Sequence, residues 1–200
     1  MRIAIVIFDG FDELDAIGPY EVLRNASLAG AGVEAELVTL EPADKVTASH
    51  GLELLPQGVL GDGYGVVIVP GGGWLEGGGV RTERERGALP AELERLHAAG
   101  TAMASVCTGA MVLSAAGITR GRPATTHRSA LDALRGEGAE VIEERVVDDG
   151  DLLSAGGVTA GIDLALWLVE REWGEELADR IARGMEHHRT GRVHRTAAHG

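Results

Sequence analysis

The run Arg2-Ile3-Ala4-Ile5-Val6-Ile7-Phe8 is apolar at every position after the first. A strand with one wet face alternates apolar and polar residues. This one does not, so it reads as buried on both faces, which happens in parallel sheets covered by helices. Gly65 to Val69 and Thr101 to Val106 read the same way. Val33 to Leu40 alternates and reads as a second strand, and Leu152 to Ala155 as a later one. Helical stretches lie between them. Pro19 is expected to open the first, as proline does at a first helical position, after a loop from Phe11 to Gly18. Others run from Pro90 to Ala99, from His127 to Gly136, onward from Thr159, and from Glu175 to His188. Strand alternating with helix predicts an α/β fold, doubly wound, with a mainly parallel sheet and helices on both faces.

Residues 47–55 read as a small peripheral β excursion, and 81–87 as a charged, solvated stretch. No segment is linker-like, so residues 1–188 are expected to form a single domain. The tail, 189–200, lacks apolar periodicity and is expected to fray. A chain of 200 residues is long enough to bury one core. Its 31 acidic against 18 basic residues give a net charge of −13, which disfavours nucleic acid and anionic membrane surfaces as partners. No apolar run approaches the ~20 residues of a membrane span. The opening apolar run meets Asp9 too soon for a signal peptide, and one cysteine cannot form an internal disulfide. A cytoplasmic location is expected.

That cysteine, Cys107, falls where the buried run ends and a short helical pattern, Ala110 to Gly117, begins. Ser105-x-Cys107-x-Gly109 is like a nucleophile elbow with sulfur in place of oxygen, its small residues two before and two after the nucleophile. A lone cysteine is usually an inert core residue. At a strand-to-helix turn it meets the free N–H groups of the following helix, which predicts a lowered thiol pKa and a reactive nucleophile.

In open parallel sheets, ligands bind beyond the carboxyl ends of the strands. Four segments should meet there: Asp9 to Gly18, Gly71 to Gly73, Cys107-Thr108, and Gly156 to Thr159. The first offers Asp9, Asp12, Glu13 and Asp15 as proton carriers, with no pattern to choose among them. Backbone N–H groups at Gly71, Gly72 and Thr108 are candidates to hold an anionic intermediate, although a Gly-Gly-Gly run also reads as a plain tight turn. His127 follows a predicted strand and reads as a capping residue or an orienting one. No spacing suits a metal, and no cofactor motif is present.

These motifs resemble the DJ-1/PfpI superfamily. The likeness rests on Met103 to Gly117 with Gly121-Arg122-Pro123-Ala124-Thr125-Thr126-His127, and on Leu14-Asp15-x-x-Gly18-Pro19-x-x-Val22. Val69-Pro70-Gly71-Gly72, Glu143 to Gly150, and Leu153-x-x-Gly156-Gly157-x-Thr159-Ala160-Gly161 extend it, within the isonitrile hydratase-like branch. The resemblance implies a flavodoxin-like fold, similar to class I glutamine amidotransferases, and a homodimer acting on a small molecule without a cofactor. It implies Cys107 as nucleophile, selects Asp15 from the acids of the first loop, and adds Thr108. His127, Arg128 and Gly157 are implied pocket residues. Arg128 stands where the branch usually has an aromatic residue, and Trp74 to Thr82 is unusually rich in glycine. Peptidase-like members place a histidine directly after the cysteine, where this chain has Thr108.

The implied activity is that of a cysteine-dependent lyase, converting an isonitrile to an N-substituted formamide through a thioimidate on Cys107. The alternatives are a redox or ligand sensor using the same thiol, and another cysteine-dependent hydrolase or aldehyde-detoxifying activity.

Overall fold

The computed structural model describes residues 1–196. In chain order the strands are β1 (Arg2–Val6), β2 (Glu34–Thr39), β3 (Val46–Thr47), β4 (Glu53–Leu54), β5 (Gly58–Val59), β6 (Val66–Val69), β7 (Ala102–Val106), β8 (Pro123–Ala124), β9 (Glu140–Val141), β10 (Val146–Asp148), β11 (Leu152–Ala155) and β12 (Val193–Arg195). The helices are α1 (Glu13–Leu28), α2 (Gly79–Arg86), α3 (Ala88–Ala98), α4 (Ala110–Ala115), α5 (Leu131–Gly136), α6 (Ala160–Trp173) and α7 (Glu175–Gly184).

Eight strands form one sheet in the order β12-β10-β11-β7-β6-β1-β2-β5. Every pairing is parallel except β10 with β11. Strands β2-β1-β6-β7-β11 reproduce the flavodoxin-like 2-1-3-4-5 order, which changes direction between β1 and β6. The continuous apolar runs account for the centre. Ile3 to Val6, Val66 to Val69 and Met103 to Val106 are buried on both faces. Helices α1 and α6 pack together, with Gly161 of α6 fitted against Pro19 and Val106. Helices α2, α3 and α4 pack as a second group. The excursion at 47–55 is the β3–β4 hairpin, tied to the loop after β1 by Gly10 N–H to the Thr47 carbonyl (2.8 Å) and Ser49 N–H to the Phe11 carbonyl (2.8 Å). Among the described residues no helix is long and apolar enough to cross a membrane.

Three expectations are corrected. Helix α1 starts at Glu13, six residues before Pro19, because the Asp12 carboxylate caps it by accepting from Leu14 N–H. Asp15 therefore stands in the first helical turn rather than in a loop. Residues 81–86 belong to α2, which buries Val80 and Glu83 and wets only its charged side. The tail is not frayed at Val193–Arg195, which pairs with Val146–Asp148 along the sheet edge. Three residues, Val-His-Arg, carry no apolar period; backbone pairing recruits them, helped by Val193 packing on the core and the Arg195 guanidinium 5.2 Å over the Trp167 ring. Residues 197–200 lie outside the described residues.

Candidate active site

Strand β7 ends at Val106, and Cys107 follows with φ +57°, in the left-handed region that non-glycine residues rarely occupy. Such a conformation costs of order 1–3 kcal/mol and needs support from its surroundings. Support comes from both backbone groups of the residue. Cys107 N–H donates to the Gly156 carbonyl (2.9 Å), and Thr126 Oγ1 donates to the Cys107 carbonyl (2.8 Å). Gly109 closes the elbow against β6, where a Cβ would collide with the Val69 carbonyl oxygen. Ser105 is fully buried below the turn.

Asp15 arrives from α1 and Gly71 from the end of β6, on the two sides of the switch point. Asp15 is fully buried. Its Oδ2 accepts from Gly71 N–H (2.9 Å), and its Oδ1 has no hydrogen-bond partner among the described residues. Thr108 Oγ1 accepts from Gly72 N–H (3.2 Å) and keeps its own proton free to donate. A Cβ on Gly71 would lie 2.6 Å from Asp15 Oδ2, 2.8 Å from Thr108 Oγ1 and 2.9 Å from Cys107 Cβ. Three side chains from two elements, α1 and the 3-10 turn after β7, thus crowd round one glycine.

The N–H groups of Gly71 and Gly72 are therefore engaged. They orient Asp15 and Thr108 rather than facing outward as anion holders, which corrects the role expected for both glycines. The backbone N–H groups that favour the thiolate at this sulfur are those of Val158 and Thr108. Val158 is a residue that sequence reasoning missed. A backbone donor leaves no side-chain signature, and only the preceding Gly156-Gly157 marks the loop. Its φ of +39° is a rare conformation for a β-branched residue.

Burial dominates the electrostatics. It pushes the Asp15 carboxyl up to about 8, with the Asp12 charge adding to it and the Gly71 N–H opposing. The Cys107 thiol is pushed up to about 12, first by burial and then by the Asp15 charge, against the Val158 and Thr108 N–H groups. The expected low thiol pKa is overturned. Helix α4 has only six residues and starts at Ala110, after a 3-10 turn, so its dipole is weak beside the desolvation. At neutral pH the pair carries both its protons. Folding then retains a proton on Asp15 that the unfolded chain releases above its ordinary 3.8. The stability conferred by that protonated carboxyl is present at low pH and is lost as pH rises through about 8.

His127, Arg128 and Gly157 line a cleft of about 480 Å³, together with Thr126, Gly156 and Val158, which reach Cys107. His127 Nδ1 accepts from Ser129 N–H (3.2 Å), so the neutral ring carries its proton on Nε2. Gly157 admits that ring, since a Cβ there would sit 2.5 Å from His127 Cδ2. A larger cleft of about 730 Å³ lies at Arg122, Asp148 and Arg171 and includes none of the residues round Cys107. Trp74 lies outside the smaller cleft, with the Arg84 guanidinium 5.3 Å over its ring. The glycines near it serve close packing. Added Cβ atoms at Gly72 and Gly79 would strike the backbone of Gly10, and one at Gly78 that of Gly73. Among the described residues no group of three or more His, Cys, Asp or Glu side chains is arranged to hold a metal ion.

Comparison with known proteins gives the family. The family model described as the DJ-1/PfpI family matches residues 1–171. An isonitrile hydratase of Pseudomonas putida is 38% identical over 94% of this chain and 78% of its own length. The Parkinson disease protein 7 homolog of Danio rerio is 27% identical over 90% of this chain and 94% of its own. The crystal structure of a ThiJ/PfpI family protein from Pseudomonas syringae superposes with a TM-score of 0.84 at 29% identity, covering 94% of this chain and 76% of that one. The chain belongs to the DJ-1/PfpI family.

Proposed function

We propose that this protein is an isonitrile hydratase-like lyase using Cys107 as nucleophile and Asp15 as proton carrier. The observation that carries the reading is the crowding of Asp15, Cys107 and Thr108 round Gly71, which sets the Asp15 carboxyl against the Cys107 side chain. The likeness to an isonitrile hydratase over nearly the whole chain supports the choice of substrate.

An isonitrile carbon accepts a nucleophile once it gains a proton. Because Gly71 N–H occupies Asp15 Oδ2, the acid proton sits on Oδ1 and is free to transfer. Asp15 delivers it to the isonitrile carbon. The Cys107 sulfur bonds the same carbon, and its proton passes to the Asp15 carboxylate. The net result is addition of S–H to the carbon, giving R–N=CH–S–Cys107. Water then adds to that carbon, its proton moving through Asp15 to the nitrogen. The C–S bond breaks, sulfur takes the electron pair and recovers a proton, and R–NH–CHO leaves. The sum is R–NC plus H₂O giving R–NH–CHO, with no external oxidant or reductant. Thr108, with its hydroxyl proton free, positions substrate or water.

The test is formamide production from a panel of alkyl and aryl isonitriles. Wild-type protein that forms none would overturn the reading, and stoichiometric modification of Cys107 without turnover would favour a sensor. Arg128 lines the cleft and has no ion pair among the described residues, so it is assigned a part in choosing among substituents. Arg128→Ala is expected to change the ranking of kcat/KM across the panel by several-fold and leave the reaction intact. An unchanged ranking would remove Arg128 from the site. A homodimer is part of the same proposal and rests on family membership. Sedimentation at micromolar concentration should give twice the 20.9 kDa of one chain, and a 20.9 kDa species alone would reject it.

A further inference from the structure

Between β11 and α6, the loop 156–159 touches the nucleophile twice. The Gly156 carbonyl accepts from Cys107 N–H, and Val158 N–H faces the sulfur. Val158 does so at φ +39°, a conformation that a β-branched residue holds only under outside restraint. Arg145 supplies restraint at both ends of the loop. Its carbonyl accepts from Gly156 N–H (3.0 Å), and its Nη2 donates to Thr159 Oγ1 (3.1 Å).

The guanidinium is itself anchored. Arg145 Nε donates to Asp163 Oδ2 (2.5 Å) in the first turn of α6, and Asp163 Oδ1 lies 3.0 Å from His187 Nε2. Gly191 lies over the stem of Arg145, where a Cβ would approach Arg145 Cβ to 2.9 Å. Exposed ion pairs contribute little. Here the side chains of Arg145 and Asp163 keep only 25% and 6% of their exposure, so the pair is largely withdrawn from water. None of these residues touches the sulfur directly.

We propose that Arg145 is a positioning residue for the nucleophile, holding the loop so that Val158 N–H stays on the Cys107 sulfur. With the Thr159 contact gone, Val158 relaxes toward an ordinary φ and its N–H leaves the sulfur. The thiolate then loses a donor and forms less readily. The other groups that act on the sulfur, Thr108 N–H and the charges of Asp15 and Asp12, stay in place. The proposal concerns the thiol itself and does not depend on the isonitrile reading.

The test measures second-order rates of Cys107 alkylation by iodoacetamide between pH 7 and 10, in folded full-length protein. Below the thiol midpoint the rate follows the thiolate fraction. A loosened loop that merely admits reagent raises the rate, whereas loss of the Val158 donor lowers it, so the two effects have opposite signs. Arg145→Met is expected to alkylate about threefold more slowly or worse, as a half-unit rise in thiol pKa requires. Thr159→Val, which removes one bond and no charge, should slow alkylation in the same direction by less. Arg145→Lys should recover part of the loss, since an ammonium keeps the contact with Asp163 but cannot reach Thr159 as well. If Arg145→Met fails to fold, Thr159→Val and Arg145→Lys decide alone. Wild-type or faster alkylation in the folded variants would overturn the proposal.

Discussion

Cys107→Ala is expected to reduce isonitrile hydration to the uncatalysed rate. The chain has no second thiol, and the mechanism requires a sulfur that both bonds carbon and leaves. Alanine keeps the Cβ and the same left-handed constraint, so the variant should retain the fold. Its circular dichroism should match wild type while formamide production vanishes. Turnover at the wild-type rate in the folded variant would remove Cys107 from the chemistry and the proposed activity with it.

Asp15→Asn should lower turnover by roughly 10²-fold or more, the usual scale for losing general acid–base catalysis. Asparagine preserves the shape and can still accept from Gly71 N–H through its amide oxygen, so the loss isolates proton transfer. The pH profile adds a second readout. Because burial holds the Asp15 carboxyl up to about 8, kcat/KM in wild type should fall as pH rises through that value, when the acid is lost. The residual activity of the asparagine variant should lack this fall. An asparagine variant within a few-fold of wild type, or one with the same alkaline limb, would show that another group moves the proton.

Much of the architecture could be read from residue patterns, because buried parallel strands announce themselves. The apolar runs at β1, β6 and β7 gave both the layered parallel sheet and the strand ends at which the candidate site lies. The tight turn that carries Cys107 was equally legible, since small residues on each side of it mark an elbow. Other features depend on competition between local signals. Pro19 suggested a helix start, but the Asp12 cap lies nearer the strand and wins, moving Asp15 from loop to helix. The thiol pKa was misread because desolvation depends on everything packed above a residue, which neighbours in sequence do not reveal. Val158 and the N–H groups of Gly71 and Gly72 were beyond reach for a related reason. Main-chain donors are identical at every non-proline position, and only the folded path says where they point.

The left-handed φ of Cys107 and the buried, unshared Oδ1 of Asp15 have one effect in common: each raises the free energy of the folded state. The reserve that offsets them lies in the dry strands beneath. Thermal robustness and chemistry are thus opposed at these two positions, and selection for a sturdier molecule would tend to erase them first. Their presence together in a single chain marks a fold kept below its attainable stability, a cost that the proposed reaction would explain.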